Sequence, residues 1–274
     1  MQYEVISIQT EQSAPDAKFY AYILDSSKEF QPGLIRPMII LCPGGGYRMT
    51  SDREAEPVAM RLLAMGYHVG ILRYSVAPAR FPTSLLELAE VMKIVHENHE
   101  KWHVDWNRIF VQGSSAGGHL AASLGVFWNK PFLYEAAETT PEILRPAGLI
   151  LSYPVITSKK KYMHEGSFRQ LLGSDYKEKR KEMSLEKQVT SDTPPCFIWH
   201  TFTDQTVPVE NSFLFAKALR KAGVPTELHI YPTGGHGLSL ADETTSEPDG
   251  SAVCETIQSW ISLLKVWLEV QTAK

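Results

Sequence analysis

Ile109-Phe110-Val111-Gln112-Gly113-Ser114-Ser115-Ala116-Gly117-Gly118-His119-Leu120-Ala121-Ala122 passes from a β-type run, through a glycine-serine pentad, into a row of small residues. The first four residues suit a buried strand, and Leu120-Ala121-Ala122 suits a helix packed tightly on a sheet. The pentad between them has the pattern GxSxG, with Ser115 at its centre. Where a strand turns sharply into a helix, that serine is held in a strained conformation that lifts its hydroxyl above the sheet. Glycines flank it because side chains there would strike the neighbouring strand and helix. A plain Gly/Ser turn gives the same letters, so the surroundings must decide.

Upstream, the apolar Met38-Ile39-Ile40-Leu41 stops at Pro43-Gly44-Gly45-Gly46, as a strand buried on both faces would. A helical pattern over residues 54–65, with Val58, Met60, Leu62 and Leu63, closes at Gly66 and leads to a strand over 68–74. Leu85, Leu88, Val91, Met92 and Val95 mark the next helix. Downstream come strands over 148–153 and 195–202, a helix over 209–222, a strand over 227–231, and an amphipathic helix over 257–268. Alternating strands and helices imply an α/β protein with a mostly parallel sheet covered on both faces. The segments starting at Tyr3 and Phe19 read as an antiparallel pair ahead of it. Residues 157–193, polar and carrying Lys159-Lys160-Lys161, break the rhythm and read as an insertion over the site. The whole of 1–274 is expected to form one domain.

Composition narrows the function. With 27 Lys plus Arg against 31 Asp plus Glu, the net charge of -4 gives no footprint for a nucleic-acid partner. Cys42, Cys196 and Cys254 are far apart and follow no zinc-ligand spacing, so neither a disulfide framework nor a metal is expected. His96, His99 and His103 recur along a helical stretch, but a solvated face explains them better than ligation. The amino terminus has neither the basic start nor the apolar run of a secretory signal, and no stretch of about 18 apolar residues could span a membrane. A cytoplasmic protein without a membrane partner is expected.

A serine hydroxyl needs a base within hydrogen-bond reach and an acid to orient that base. Asp204 follows the strand over 195–202 and His236 follows the strand over 227–231. Both fall just past strand carboxyl ends, where open α/β sheets build their sites. Singly, a turn aspartate and a loop histidine are adequate readings. Jointly, the order Ser115, Asp204, His236 favours a catalytic set. The N–H groups of Gly45 and Gly46, together with that of Ala116, are candidates for stabilising an oxyanion. Neither a GxxxxGK[ST] nor a GxGxxG followed by a helix and an acidic residue accompanies the glycines, so no nucleotide cofactor is expected.

With these residues in view, the chain resembles α/β-hydrolases of the esterase and lipase group, which includes hormone-sensitive-lipase-like esterases and bacterial acetyl esterases such as acetylxylan esterases. The resemblance runs nearly end to end. It rests on Cys42 to Tyr47, Leu72 to Pro78, Asp105 to Ile109, Gly113 to Ala122, His200 to Asp204 with Val207-Pro208, and Gly235-His236-Gly237. One departure stands out: the HGGG common in lipases is here Pro43-Gly44-Gly45-Gly46, without the histidine that often braces that loop.

The resemblance implies an α/β-hydrolase fold and a serine esterase of short acyl chains that needs no cofactor. Its small-molecule substrate would be an acetyl ester on a sugar or xylo-oligosaccharide. Tyr47 and Arg48 are candidate substrate-binding residues, while Trp199, inside an apolar strand, fits a core position better. A general carboxylesterase, a serine peptidase of the prolyl-oligopeptidase type and a non-catalytic ligand receptor are the alternatives. A homodimer is the default expectation for assembly.

Overall fold

The computed structural model describes residues 1–29 and 31–273. Strands β1 (Gln2–Ser7) and β2 (Lys18–Ile23) come first, followed by β3 (Arg36–Cys42), α1 (Glu56–Ala64), β4 (His68–Arg73), α2 (Thr83–Glu97) and α3 (His99–Trp102). Next are β5 (Val104–Ser114), α4 (Ala116–Phe127), the short α5 (Pro131–Tyr134) and α6 (Pro141–Leu144), and β6 (Gly148–Ser152). The chain closes with α7 (Glu165–Leu172), α8 (Tyr176–Lys179), β7 (Cys196–Thr201), α9 (Glu210–Ala222), β8 (Thr226–Tyr231) and α10 (Glu255–Thr272).

The eight strands form one sheet in the order β1-β2-β4-β3-β5-β6-β7-β8. Strands β3 to β8 are mutually parallel, because each connection carries the chain back over a face of the sheet. Strand β2 instead pairs antiparallel with both β1 and β4, so the expected antiparallel pair is the edge of the same sheet. The core divides between the two faces. On one, Leu120, Leu124, Leu149 and Phe215 pack with the strands; on the other, Leu62, Trp199, Trp260 and Leu264 do. Trp199 is fully buried and stacks on Trp260 at 5.2 Å.

The helix starting at Thr83 ends at Glu97, earlier than a continuous run through His103 would require. Asn98 separates it from α3, and His103 adopts a left-handed conformation. The ring of His96 packs edge-on against Trp106 at 5.0 Å. The segment 157–193 contains α7 and α8, and it buries Phe168, Leu171 and Leu172 against the body of the protein. No helix among the described residues is long and apolar enough to cross a membrane.

Candidate active site

Because β3, β5, β7 and β8 run parallel, their carboxyl ends lie on one side of the sheet, and the loops leaving them converge there. Ser115 sits between β5 and α4 with φ 53 and ψ -117, a region that L-residues avoid. Its backbone is held on three sides. Ser115 N–H donates to Ser152 O at 3.0 Å, and its carbonyl accepts from Val155 and His119 N–H at 3.0 and 3.2 Å. The flanking glycines are obligatory at this turn. A Cβ on Gly113 would lie 2.1 Å from Gly117 O, and one on Gly117 would lie 1.9 Å from Cys42 O.

The Ser115 hydroxyl oxygen is 2.7 Å from His236 Nε2, and His236 Nδ1 is 2.6 Å from Asp204 Oδ2. Residues 121 positions apart in the chain thus share one hydrogen-bonded line. The loop bearing His236 is fastened to the loop bearing Asp204, since Thr201 and Thr203 hydroxyls donate to Gly234 O at 3.0 and 2.9 Å. Asp204 is buried, and its other oxygen accepts the N–H groups of Thr206 and Val207, both at 2.9 Å. Burial alone would raise the pKa of this carboxyl. Hydrogen bonds from His200, His236 and the Val207 N–H outweigh it and hold the group well below the usual carboxylate range.

His200, at the head of the His200 to Asp204 stretch, supports this arrangement from beneath, a role that the sequence does not disclose. It is fully buried on β7, and its Nε2 faces two acceptors, Val207 O at 2.9 Å and Asp204 Oδ2 at 3.2 Å. Two acceptors around one nitrogen place a proton there, and Nδ1 lies 2.8 Å from the Ser212 hydroxyl. His200 thereby fixes the orientation of Asp204 as Asp204 fixes that of His236.

The glycine loop after β3 lies against the turn that carries Ser115. A Cβ on Gly44 would meet Ser114 O at 2.7 Å and Ser115 Cβ at 2.9 Å, so this approach admits only glycine. Gly45 and Gly46 have φ of 131 and 66, which only glycine adopts without strain. Ala116 is the first residue of α4, where a helix leaves its N–H groups without partners inside the helix.

The brace that the missing histidine would have supplied comes from Glu54, whose place at the start of a helical pattern gives no hint of it. Its buried carboxylate accepts Gly44 N–H at 2.7 Å and the Tyr153 hydroxyl at 2.7 Å. The Tyr153 ring in turn meets His236 edge-on at 5.1 Å. Tyr74 completes the hold by donating to Pro43 O at 2.6 Å.

A cleft of about 420 Å³ opens over Ser115 and His236, with Gly45, Gly46, Arg48, Met49 and His164 in its wall. Arg48 is exposed there. Tyr47 is placed differently: it is buried, its hydroxyl bonds His119 Nδ1 at 3.0 Å, and it does not line the cleft. His119 lies under the site as a packing group, its Nε2 donating to Met183 O at 2.9 Å. The segment 157–193 contributes His164, a residue that no sequence motif singles out. Its only local signal is its position just before the amphipathic turns of α7.

This sheet order, with a serine on the turn after β5 and an aspartate and a histidine on later strand ends, is that of an α/β-hydrolase. The chain belongs to the BD-FAE family, which it matches over residues 24–219. That match takes in Ser115 and Asp204 and stops before His236.

Among curated relatives, endo-1,4-beta-xylanase B of Butyrivibrio fibrisolvens is 37% identical over 217 residues, covering 76% of this chain and 33% of that protein. An acetylxylan esterase of Xylanibacter ruminicola is 30% identical over 208 residues, covering 74% of this chain and 41% of that protein. The chain therefore spans about a third of the length of the first of these relatives and about two fifths of the second. Among solved structures, an acetyl ester-xyloside bifunctional hydrolase from Caldicellulosiruptor lactoaceticus superposes with a TM-score of 0.80 at 39% identity. The superposition covers 93% of this chain and 88% of that one.

Proposed function

We propose that this chain is a serine esterase that removes acetyl groups from acetylated sugars or xylo-oligosaccharides. The observation that carries the reading is the continuous line Ser115 Oγ, His236 and Asp204, at 2.7 and 2.6 Å, beside a glycine loop pressed against the nucleophile turn. His236 takes the Ser115 proton as the oxygen attacks the ester carbonyl. The N–H groups of Gly45, Gly46 and Ala116 stabilise the oxyanion, each such donor contributing about 3 kcal/mol. His236 then returns the proton to the departing alcohol, leaving an acetyl-enzyme. Water enters by the same route in reverse and releases acetate. Asp204, held ionised by its hydrogen bonds, fixes the imidazole tautomer and stabilises the imidazolium.

The acetyl and sugar parts of the reading draw support from the relatives and from the hydrogen-bonding side chains in the cleft wall, Arg48 and His164 among them. Initial rates of acetate release from an acetylated xylo-oligosaccharide, beside an aryl acetate and an aryl octanoate, test it. The expected result is turnover of both acetates, little turnover of the octanoate, and loss of all turnover in Ser115→Ala. Turnover of aryl esters alone would remove the sugar assignment and leave a general carboxylesterase.

A further inference from the structure

His164 is a histidine in the cleft wall that the proposed mechanism leaves without a task. Its Nδ1 lies 2.8 Å from the Ser167 hydroxyl, and Ser167 is buried with no other side-chain partner among the described residues. A buried hydroxyl left without an acceptor is costly, so its single proton goes to His164 Nδ1. The imidazole proton then resides on Nε2, which has no partner among the described residues and belongs to a ring lining the cleft. The ring is neutral, because burial first and the neighbouring His236 and Arg48 next lower its pKa, against a smaller opposing effect of Asp204.

Its location identifies what this donor meets. The His164 ring edge and Arg48 Nε come within 4.0 and 3.9 Å of where a Cβ on Gly46 would stand, and Ser115 and His236 line the same cleft. In the proposed cycle, the departing alcohol oxygen must lie against His236 Nε2 to receive its proton. The cleft that receives the alcohol part is the one that His164 and Arg48 help to line. A hydrocarbon alcohol there would leave a partly buried N–H unsatisfied, whereas an alcohol with neighbouring oxygens would pair it.

We propose that His164 Nε2–H is a specificity-determining hydrogen-bond donor that selects esters of oxygen-rich, sugar-like alcohols over hydrocarbon alcohols of the same size. This rests on the esterase reading above and deepens it.

The test compares kcat/KM for an acetylated methyl xyloside with that for cyclohexyl acetate, whose ring has similar size and no oxygens. The comparison is made in the wild-type chain, His164→Ala and His164→Gln. The expected wild-type preference is for the xyloside. The ratio should fall about 5- to 10-fold in His164→Ala, the size of one lost neutral hydrogen bond, and recover in His164→Gln, whose amide can donate from a similar place. A ratio unchanged in His164→Ala, an equal loss on both esters in both variants, or a wild-type chain with no preference would each overturn the proposal. Failure of the esterase reading looks different, since the wild-type chain would then hydrolyse neither ester.

Discussion

Glu54 makes the sharpest claim at the level of single residues. A carboxylate placed where it accepts a glycine N–H and a tyrosine hydroxyl couples the glycine loop after β3 to the residue packed on His236. Glu54→Gln keeps the volume but turns one acceptor into a donor. If the amide oxygen serves Gly44, the amide nitrogen faces a Tyr153 hydroxyl that already accepts Ser239 N–H at 3.0 Å, and the tyrosine proton loses its acceptor. The loop should then sit less firmly where charge develops. The expected outcome in steady-state kinetics on an aryl acetate is a kcat lower by about tenfold or more with KM changed much less, the pattern of an interaction felt mainly in the transition state. A rise in KM alone would show that the loop binds substrate without stabilising the oxyanion.

Among elements, the turn between β5 and α4 sets the tolerance to change. Gly117 packs its Cα against the end of β3, so Gly117→Ala drives a methyl group into the Cys42 carbonyl. The loss of stability in urea unfolding should exceed about 3 kcal/mol, or the variant should fail to fold. Gly235, beside His236, has no atom within 4 Å of a would-be Cβ and an ordinary φ. Gly235→Ala should leave stability within about 0.5 kcal/mol of the parent. Equal effects at the two positions would contradict the packing described here.

The same contrast separates what the amino-acid sequence discloses from what it hides. Strands buried on both faces announce themselves as continuous apolar runs, and the glycines of the turn around Ser115 announce close backbone approach. The alternation of the sheet's strands with helices and the meeting of Ser115, His236 and Asp204 on one side of it follow from those signals. Glu54, His164 and His200 carry no such mark. Glu54 meets Tyr153 and His200 meets Ser212, partners far along the chain, and a lone polar letter in a helix start, an insertion or a strand does not announce what it faces. Tyr47 illustrates the converse. Its place after the glycines suggests a cleft residue, but its left-handed backbone at φ 58 accompanies a ring buried against Tyr74 and His119.

For the molecule as a whole, two buried neutral histidines tie stability to pH. His119, beneath the site, and His68, on β4, are both pushed down to about 4 by burial. An unfolded chain binds a proton on each below about pH 6.5, while the folded chain does not until near pH 4. The stability they confer is therefore complete above about pH 6.5 and declines as pH falls toward 4, by about 1.4 kcal/mol per pH unit for each histidine. Urea unfolding between pH 7.5 and 4.5 should show this decline, and a flat profile would mean that these rings are protonated in the folded state. The depressed Asp204 carboxyl acts in the opposite part of the scale. Its contribution is present above its unfolded value of about 3.9 and is lost only in stronger acid.

The proposed cycle turns on Ser115 as the group that attacks. The most direct measurement is the intact mass of the chain after treatment with diethyl 4-nitrophenyl phosphate, followed by peptide mapping, in the parent and in Ser115→Ala. A nucleophilic Ser115 predicts one diethyl phosphoryl group per chain on the peptide containing it, loss of ester turnover in step with its addition, and no labelling of the variant. Labelling elsewhere, or undiminished turnover in Ser115→Ala, would contradict it.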